Sequence, residues 1–578
     1  MSGLRSPDIG PIVGHTTAHS CRLWVRGIAP SDDGVDLSAS LRTVGLVAVV
    51  EDNGMPCRLA GSPPRAHAFY FRLHREFDRT GTFELGAEQG LGAKDGVAPL
   101  GQPDGVVPLA PDTRYRVRVA TLTLDDTTPD VESLSDSEIV ARLPDIGGMS
   151  KLLASLEGAH CEAEFTTFPE QPSARLAFLL GSCRYPGTLW KTKESDRIFG
   201  PMQQHLRPRG SRAAARFSLL VGDQIYADQY SRYLPIGRAD TFAEFQERYR
   251  TAFGSPLARR FLRQAPVYMI LDDHEIEDNW HRDRLSAKRE LFNVAIGAYM
   301  SYQWSHGPRS FGRHLHYHFD CGGYPFFVCD TRTHRTYGRE GRVMDNHLLG
   351  RPSIDPLHPS QLDLLLQWLS DQQARWGAVP KFIVTSTVFA PSPLDERLDP
   401  SLDGHDDQAA VDLARTNLSR RADSDSWSGF PTTRKALIEH IVTAGIDNVI
   451  FLSGDVHCAN IAEMHVEEEG GGGGQRLYDI TSSALYWPFF WADGDPNGFV
   501  HDSRVAGQRD GFPLFDGAMT LHYRAYGFYQ QENFCRLEVD RQRHRLRVRV
   551  LDRDGHEVKV AGPNGQTVAY NDLELSPW

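Results

Sequence analysis

The stretch PVYMILDDHEIEDNW, residues 266–280, joins a short apolar run to a dense cluster of charge. Its first part, 266–270, has the length and character of a buried strand. Five acids and one histidine then fall within residues 272–278. Like charges at this spacing repel one another unless a cation lies among them. The sequence therefore predicts that a cation binds where this strand ends.

Three other apolar runs also end in turns that carry residues of the metal-binding type. They are ARLAFLLGSC at 174–183, ARFSLLVGDQIYAD at 215–228 and NVIFLSGDVHCAN at 448–460. Stretches with the spacing of amphipathic helices lie between such runs, at 241–253, 358–377 and 432–445. Strands and helices in this alternation are typical of a layered α/β domain, in which ligands bind at the carboxyl ends of the strands. We therefore expect these strand ends to meet at one point.

The first part of the chain has a different pattern, with short alternating runs separated by turn residues. These runs are SCRLWVRG at 20–27, GLVAVV at 45–50, HAFYFRLHR at 67–75, RYRVRVATLTL at 114–124 and CEAEFTTFP at 161–169. They predict an N-terminal β-sandwich over residues 1–170, interrupted by an insertion near 125–158. The α/β domain then occupies 171–578 and includes a C-terminal β-hairpin at 534–555.

The composition is that of an ordinary globular protein, and it argues against some classes of function. The 578 residues are 40% hydrophobic and 24% charged, and the formal net charge is −13. An acidic chain of this kind argues against non-specific nucleic-acid binding, which needs a basic surface. The eight cysteines show no CxxC motif and no dense spacing, so they do not predict a disulfide scaffold, although Cys321 and Cys329 are near enough in sequence to pair.

The N-terminal residues MSGLRSPDIGPIVG contain neither a twin arginine nor an apolar segment of the signal-peptide kind. No apolar run approaches the roughly 20 residues that a membrane-spanning helix needs. The sequence therefore predicts a cytoplasmic protein without a membrane span.

The residue types at the strand ends suit more than one metal ion. A carboxylate such as Asp223 can bridge two cations, and Tyr226 offers a phenolate that a hard ferric ion favours. Cys183 and His457 offer sulfur and nitrogen, which suit a transition metal. Oxygen-only ligands suit Ca²⁺, Mg²⁺ or Mn²⁺, and these are supplied by Asp455 and Asn279. Two ions about 3.5–4 Å apart are a recurrent device for in-line displacement at phosphorus.

Each of these residues alone has a simpler structural explanation. An aspartate after a strand usually caps a turn, as Asp223 and Asp455 can. Cys183 can be a small core residue, His457 a satisfied core histidine and Tyr226 a packed aromatic. An acidic run is usually a solvated face. The combination favours the metal site, because chance does not place such residues at four matching strand ends.

The set GSC, GDQIY, DDHEIEDN and SGDVH resembles the PhoD-like alkaline phosphatases of the calcineurin-like metallophosphoesterase superfamily. VGHTTAHSCRLWVRG at 13–27, CDTRTHR at 329–335, DSWSGFPTTR at 425–434 and DITSSAL at 479–485 look like further motifs of that family. The resemblance covers roughly residues 10–535. It implies an immunoglobulin- or fibronectin-like N-terminal β-sandwich followed by a calcineurin-like αββα metallophosphoesterase domain.

The resemblance also implies the ligands of an iron site with calcium beside it. Fe³⁺ would be held by Cys183, Asp223, Tyr226 and His457, and Ca²⁺ by Asp223, Asn279 and Asp455. Related phosphoesterases carry an Asn-His-acid triplet after the third strand, and that register falls on Asp273, His274 and Glu275. The second-metal ligand is therefore Asp273, Asn279 or both. His274 is a candidate general acid for the leaving alkoxide, or alternatively a group that orients the ligands.

Two arginines are candidate phosphate clamps, since a guanidinium grips phosphate oxygens in pairs. They are Arg184, next to Cys183, and Arg332 in CDTR, and Arg184 is also a candidate catalytic residue. The alternative for each is an ion pair with a nearby acid, which is favoured for Arg332. The predicted function is metal-dependent hydrolysis of a small-molecule, lipid or polymer phosphoester, with monoester against diester left open. The alternative is a binding module, in which the β-sandwich recognises a partner and the phosphatase-like domain is inactive.

The aromatic run LYWPFFW at 485–491 either lines a substrate pocket or belongs to the core, and the core is favoured.

Overall fold

The structure is a computed structural model, and it describes most of the chain. The described residues are 3–27, 37–50, 68–86, 109–145, 148, 151–152, 155–156, 161–187, 192–210, 212–229, 237–308, 314–338, 343–391, 425–468, 474–489, 511–514 and 519–578. The predicted insertion is therefore described mainly over 125–145, and the last two residues of the aromatic run, 490–491, lie outside the described residues.

Strands and helices alternate between residues 175 and 453, whereas the described segments before and after this part are mostly strands. The strands are β1 Gly3–Arg5, β2 Ile9–Thr16, β3 Ser20–Arg26, β4 Thr43–Val50, β5 Ala68–Phe71, β6 Thr80–Gly86, β7 Arg114–Thr123, β8 Glu162–Thr166, β9 Arg175–Gly181, β10 Ser218–Leu220, β11 Val267–Met269, β12 Tyr317–Cys321, β13 Tyr324–Val328, β14 Lys381–Val384, β15 Val449–Ser453, β16 Ala459–Glu468, β17 Arg476–Thr481, β18 Gly511–Leu514, β19 Met519–Tyr529, β20 Asn533–Asp540, β21 Arg545–Asp552, β22 Val560–Ala561, β23 Thr567–Val568 and β24 Asn571–Glu574. The α-helices are α1 Leu37–Leu41, α2 Asp136–Val140, α3 Thr192–Arg197, α4 Phe199–His205, α5 Phe242–Gly254, α6 Pro256–Leu262, α7 Arg289–Tyr302, α8 Gln361–Trp376 and α9 Pro431–Thr443. The prediction of a mixed α/β chain is confirmed.

The N-terminal part contains two antiparallel sheets that share one core. The larger has the order β1-β7-β4-β5 with β8 beside β7, and the smaller has the order β2-β3-β6. Buried Val13 and Leu23 of the smaller sheet lie in the same apolar cluster as Val47 and Val117 of the larger one. Their alternation along the strands turns one face of each sheet toward the other.

The predicted insertion covers the opposite face of the larger sheet. A capping box formed by Ser135 and Glu138 begins α2. Buried Ile139 of this helix then packs in one cluster with Leu46 of β4 and Leu122 of β7. The insertion therefore supplies the apolar cover that this face needs.

Two larger sheets form the centre of the remaining chain. One has the order β11-β10-β9-β20-β21-β24 and the other β12-β13-β14-β15-β17-β16-β19-β18. Their facing sides share a core in which Phe178 of β9 contacts Phe326 of β13 and Phe382 of β14 edge to face, at centroid distances of 5.5 and 5.4 Å. Such edge-to-face pairs add to the burial of the rings themselves.

Helices cover the outer side of each large sheet. Phe245 of α5 and Ala295 of α7 lie in one cluster with Leu220 of β10. On the other sheet, α8 and α9 lie in one cluster with β13 and β15. Among the helices that the structure describes, none combines the length and the apolar character that crossing a membrane requires.

The stretch 534–555 contains β20 and β21, which pair antiparallel. Strand β20 also pairs with β9, with Cys535 opposite Leu180. The end of the chain therefore completes the sheet that carries β9, β10 and β11. Cys321 and Cys329 are both buried free thiols and form no disulfide.

Candidate metal centre

Hydrogen bonds join the turns after β9, β10, β11 and β15. Cys183 N donates to Gly222 O at 3.1 Å, which links the first two turns. Ala227 N donates to His274 O at 2.9 Å, which links the second turn to the third. The Sγ of Cys183 donates to Asp455 O at 3.6 Å and brings in the turn after β15. The strand ends that the sequence singles out therefore lie side by side.

Several predicted ligands have a backbone in the left-handed region. Their φ angles are 57° at Cys183, 54° at Asp223, 54° at Asn279, 71° at Asp455 and 47° at His457. Aspartate, asparagine and histidine adopt this region more readily than most residues, but its concentration in these turns is unusual. Backbone of this kind collects at functional sites, where surrounding contacts hold it in place.

Gly222, immediately before Asp223, is required by the close approach of two strand ends. Its φ is 104°, and a Cβ at this position would lie 2.5 Å from the Cβ of Asp272. Only glycine fits both the backbone angle and the space. The GD dipeptide therefore lets the carboxylates after β10 and β11 approach each other.

Four carboxylates face one another in this space. Each of Asp223, Asp272, Asp273 and Asp455 has an oxygen within 4.8 Å of such an oxygen on the other three. A nitrogen of His274 also lies within 4.8 Å of an oxygen of Asp223 and of an oxygen of Asp273. Carboxylates packed this tightly need a positive charge among them.

The electrostatics show that part of this negative charge has no partner. Burial raises the pKa of Asp223 well above its ordinary value, and nearby Asp273, Asp272 and Glu275 raise it further against the opposing effect of His274. Burial and Asp272 likewise raise the pKa of Asp455. The buried Asp223 Oδ1 has no hydrogen-bond partner among the residues that the structure describes. A bound cation would remove both penalties.

Arg332 supplies one positive charge, and its guanidinium forms ion pairs with acidic side chains of the centre. Its fully buried guanidinium pairs with Asp272 through Nε and with both oxygens of Asp425 at 2.7 and 2.6 Å. It also lies 3.3 Å from Asp273. Burial opposes ionisation of Asp273, but Arg332 and His274 outweigh it and lower the pKa of that carboxyl to about 2. These contacts match the ion-pair interpretation of Arg332.

The sulfur of Cys183 and the phenol of Tyr226 lie near the carboxylates. Among the described residues, neither Cys183 nor His457 belongs to the groups of ligand atoms that lie within 4.8 Å of one another. Burial, followed by the charge of Asp223, raises the pKa values of both Cys183 and Tyr226 well above their ordinary ranges. The buried hydroxyl of Tyr226 has no hydrogen-bond partner within the described part of the chain. The ring of His457 lies 4.0 Å from that of Trp487, which in turn lies 6.1 Å from the ring of Tyr226. Metal binding would favour the deprotonated forms that burial disfavours, so this donor set fits a metal centre.

A family model described as PhoD-like phosphatase matches residues 197–495, more than half of the chain. The chain belongs to the PhoD-like phosphatase family. The match contains every predicted ligand except Cys183, which precedes it. The family predicted from the strand-end motifs is therefore confirmed.

Individual relatives agree with the PhoD-like assignment. Alkaline phosphatase D of Bacillus subtilis (strain 168) is 25% identical over 221 residues, which are 35% of this chain and 33% of that protein. The matching part thus spans about a third of the length of this curated relative. The solved structure titled "Structure of PhoD" gives a TM-score of 0.56 at 15% identity over 94% of this chain and 86% of that chain, which is a similarity of fold. A structure titled "GAP50 the anchor in the inner membrane complex of Plasmodium" gives a TM-score of 0.29 at 11% identity over 70% of this chain and 90% of that chain.

Within this PhoD-like centre, His274 is held by Asp228, which is not among the site residues predicted from the sequence. Its Nδ1 lies 2.7 Å from Asp228 Oδ1, and Asp278 N donates to the other oxygen of Asp228 at 2.7 Å. Burial lowers the pKa of His274, but Asp228, Asp273 and Asp223 outweigh it and raise the pKa well above its ordinary value. The signal for Asp228 was its place five residues after Asp223 in GDQIYAD.

Asp273 and Asn279 are joined directly, so the two candidate second-metal ligands are neighbours. Asn279 N donates to Asp273 Oδ2 at 2.5 Å, and its side-chain amide donates to Asp278 at 3.0 Å. Asp273 is buried and belongs to both groups of close ligand atoms, whereas Asn279 is exposed.

Arg184 directs its guanidinium toward helices. It donates to Ala252 O at 2.6 Å and to Ser255 Oγ at 2.5 Å, and it lies 3.4 Å from Asp196. It also lies 4.8 Å above the ring of Phe199. Contacts of this kind favour a structural role over a phosphate clamp.

The described part of the aromatic run flanks the centre. Tyr486 is buried in one cluster with Tyr185 and Tyr226, and Trp487 and Phe489 are partly buried against it. The cluster therefore combines core packing with one partly open side near His457.

Proposed function

We propose that this PhoD-like chain is a metal-dependent phosphoester hydrolase. The observation that carries the proposal is the group of four close carboxylates around Asp223, whose Oδ1 is buried without a hydrogen-bond partner among the described residues. Arg332 offsets only part of this charge, because it is shared among Asp272, Asp273 and Asp425. Membership of the PhoD-like family supports phosphate esters as the substrate class.

The proposed ligands divide by their donor atoms. Cys183, Tyr226 and His457 would hold Fe³⁺ together with Asp223, since a phenolate favours a ferric ion. Oxygen ligands would hold Ca²⁺ beside it, and these are Asp223, Asp273, Asn279 and Asp455. Bound there, the ions would polarise the phosphoryl group and lower the pKa of a water molecule.

The chain itself would supply a proton through His274. Its Nδ1 is bonded to Asp228, so Nε2 is the atom left to protonate the leaving alkoxide. Burial lowers the pKa of this imidazole, but the charge of Asp228 outweighs it and favours the protonated form. If His274 only orients the ligands, a His274→Asn substitution should slow all esters equally. If it is the general acid, the loss should be larger for alkyl esters than for p-nitrophenyl esters, whose leaving group needs little protonation.

We propose that Arg332 positions Asp272 and Asp273 rather than clamping phosphate, and that Arg184 ties the turn after β9 to the neighbouring helices. The finer architecture belongs to the same proposal. It consists of a β-sandwich domain over 1–170 and a calcineurin-like αββα domain over 171–578. The helix-covered pair of central sheets and the shared core of the N-terminal sheets support it.

The test uses the purified chain after elemental analysis, with p-nitrophenyl phosphate and its bis ester as substrates. We expect turnover of at least one ester, and an Asp223→Ala variant should lose both metal and activity. An Asp371→Ala variant is the matched control, because Asp371 is an exposed acid on α8. A full metal load without turnover of either ester would contradict hydrolysis.

The identity of the metals has a separate readout. Tyrosinate bound to ferric iron absorbs visible light, so the active protein should be coloured and a Tyr226→Phe variant should lose the band. A colourless, zinc-loaded and active protein would contradict iron while leaving phosphoester hydrolysis standing.

A further inference from the structure

Three histidines form a cluster that shares no residue with the candidate metal centre. His314 and His316 precede β12, and His334 follows β13. Strands β12 and β13 are antiparallel, with Tyr317 opposite Val328, so the start of one lies beside the end of the other. One ring nitrogen of each histidine lies within 4.8 Å of the nitrogens of the other two.

The geometry of the rings leaves room for an ion between them. The centroid of His314 lies 4.9 Å from that of His316 and 6.4 Å from that of His334, and the last two are 6.3 Å apart. A tetrahedral zinc site has Zn–N distances of about 2.0–2.1 Å, which places its nitrogens roughly 3.4 Å apart. Rotation of the exposed His314 and the half-buried His334 can close that difference.

His316 is buried, unlike an ordinary surface histidine, and one of its ring nitrogens lacks a hydrogen-bond partner among the described residues. It is 8% exposed, and its ring stacks on Phe327 at 5.9 Å. Its Nδ1 is buried and has no hydrogen-bond partner in the described part of the chain. An unpaired buried polar atom costs free energy that a ligand would recover. Burial also lowers the pKa of this imidazole to about 4, so it has a free lone pair at neutral pH.

The carboxylate of Asp330 lies next to the histidine cluster. Asp330 Oδ2 lies 3.9 Å from His334 Nε2, while Asp330 Oδ1 accepts from Arg332 N at 3.1 Å and from Thr333 N at 2.9 Å. At 3.9 Å this is an electrostatic contact and not a hydrogen bond, so Asp330 would orient the ligating imidazole only after His334 turns toward it. The turn that carries Arg332 therefore carries this support as well.

We propose that His314, His316 and His334 form a second metal site that binds one divalent transition-metal ion of the zinc class through three imidazole nitrogens. Three imidazoles suit zinc, copper or nickel, and they leave one coordination position for water or an anion. An ion there joins the segment before β12 to the turn at 329–335. It therefore stabilises the edge of the eight-stranded sheet and the position of Arg332.

The test measures zinc bound by the full chain after equilibrium dialysis, with elemental analysis before and after. The wild type should bind one equivalent of zinc that a His314→Ala variant loses or binds at least ten-fold more weakly. Since His314 is exposed, its removal should leave the fold intact, and a His334→Ala variant provides a second, independent loss. His318→Ala is the matched control, because this exposed histidine on β12 lies outside the group of three.

An Asp223→Ala background separates this site from the candidate metal centre. There the zinc equivalent should remain, and it should still disappear when His314→Ala is added. Cobalt in place of zinc should give a visible tetrahedral spectrum with the same dependence. The proposal is overturned if Asp223→Ala alone abolishes zinc uptake, or if both histidine variants bind as much zinc as the wild type. Neither outcome depends on whether the protein hydrolyses esters.

Discussion

Asp228 holds the imidazole of His274 by a contact of 2.7 Å between Oδ1 and Nδ1. The same carboxylate accepts the backbone N–H of Asp278 at 2.7 Å, so it is itself fixed. Asp228 is fully buried, whereas the side chain of His274 is 18% exposed. The buried Asp228 carboxylate therefore fixes the His274 imidazole at the solvent-accessible edge of the centre.

An Asp228→Asn substitution should lower the pKa of His274, because the carboxylate is the largest factor that raises it. An acid that acts in its protonated form works below its pKa, so the alkaline loss of activity should move to lower pH. We expect kcat/KM at neutral pH to fall roughly 10–100-fold, the range for lost ligand-supporting carboxylates. The pH dependence of kcat/KM measures the shift, and unchanged metal content separates it from loss of the ions. An unshifted profile would rule out this role of Asp228.

An Arg332→Met substitution should destabilise the protein by about 3–5 kcal/mol, because it leaves buried acids without their partner. Asp425, which faces both terminal nitrogens of Arg332, is the partner for a double-mutant cycle with Asp425→Asn. Denaturant unfolding should show that the two substitutions together cost less than the sum of each alone. If Arg332 instead clamps phosphate, an Arg332→Lys variant would raise KM while unfolding at the wild-type denaturant concentration.

Glu275 gathers the turns after β10 and β11 by accepting four N–H groups. Oε1 accepts from Gln224 N at 2.7 Å and from the Gln303 amide at 3.1 Å, while Oε2 accepts from Asp223 N at 3.1 Å and Asp272 N at 2.9 Å. A Glu275→Gln variant must turn an NH₂ group toward one pair of donors. We expect a loss of about 1–3 kcal/mol in unfolding free energy and weaker metal retention. Glu290→Gln, at an exposed position on α7, should change neither.

The sequence predicts the residues of this centre that stand next to a strand, but not the contacts between residues far apart in the sequence. Asp223, Asp273, Asp455 and their neighbours stand directly after apolar runs, so periodicity alone places them at strand ends. The partners of Arg332 and His274 come from distant segments, as with Asp425, which is 93 residues from Arg332. No local period encodes such a pairing.

Sheet order shows the same limit. The hairpin of β20 and β21 follows from alternation and a short turn. Its position beside β9 does not, because Cys535 and Leu180 pair across most of the chain. Alternation fixes which face of a strand is buried but not which strand lies next to it. The family resemblance, which covers roughly residues 10–535, does not reach this hairpin and does not predict its neighbour.

His306, which is distant in sequence from the predicted metal ligands, should make the folding stability of the protein depend on pH. It is fully buried next to β2, where a Cβ on Gly14 would lie 2.1 Å from His306 O. Arg22 of β3 donates to the carbonyl of the next residue, Gly307. Burial, followed by the charge of Arg22, lowers the pKa of His306 to about 3. The N-terminal sheets therefore pack against a histidine that must be neutral.

The sign of the effect follows from the two states. The unfolded chain takes up a proton near the ordinary pKa of about 6.5, whereas the folded chain does so only near pH 3. The stability contributed by neutral His306 is therefore complete above about pH 6.5 and is lost progressively as the pH falls toward 3. A His306→Phe variant removes one titrating group, so its unfolding free energy should fall less steeply in this window, by at most about 1.4 kcal/mol per pH unit. Denaturant unfolding at several pH values measures the slope, and His358→Phe, at an exposed histidine, should keep the wild-type slope. Parallel slopes for His306→Phe and the wild type would show that His306 is already protonated in the folded protein.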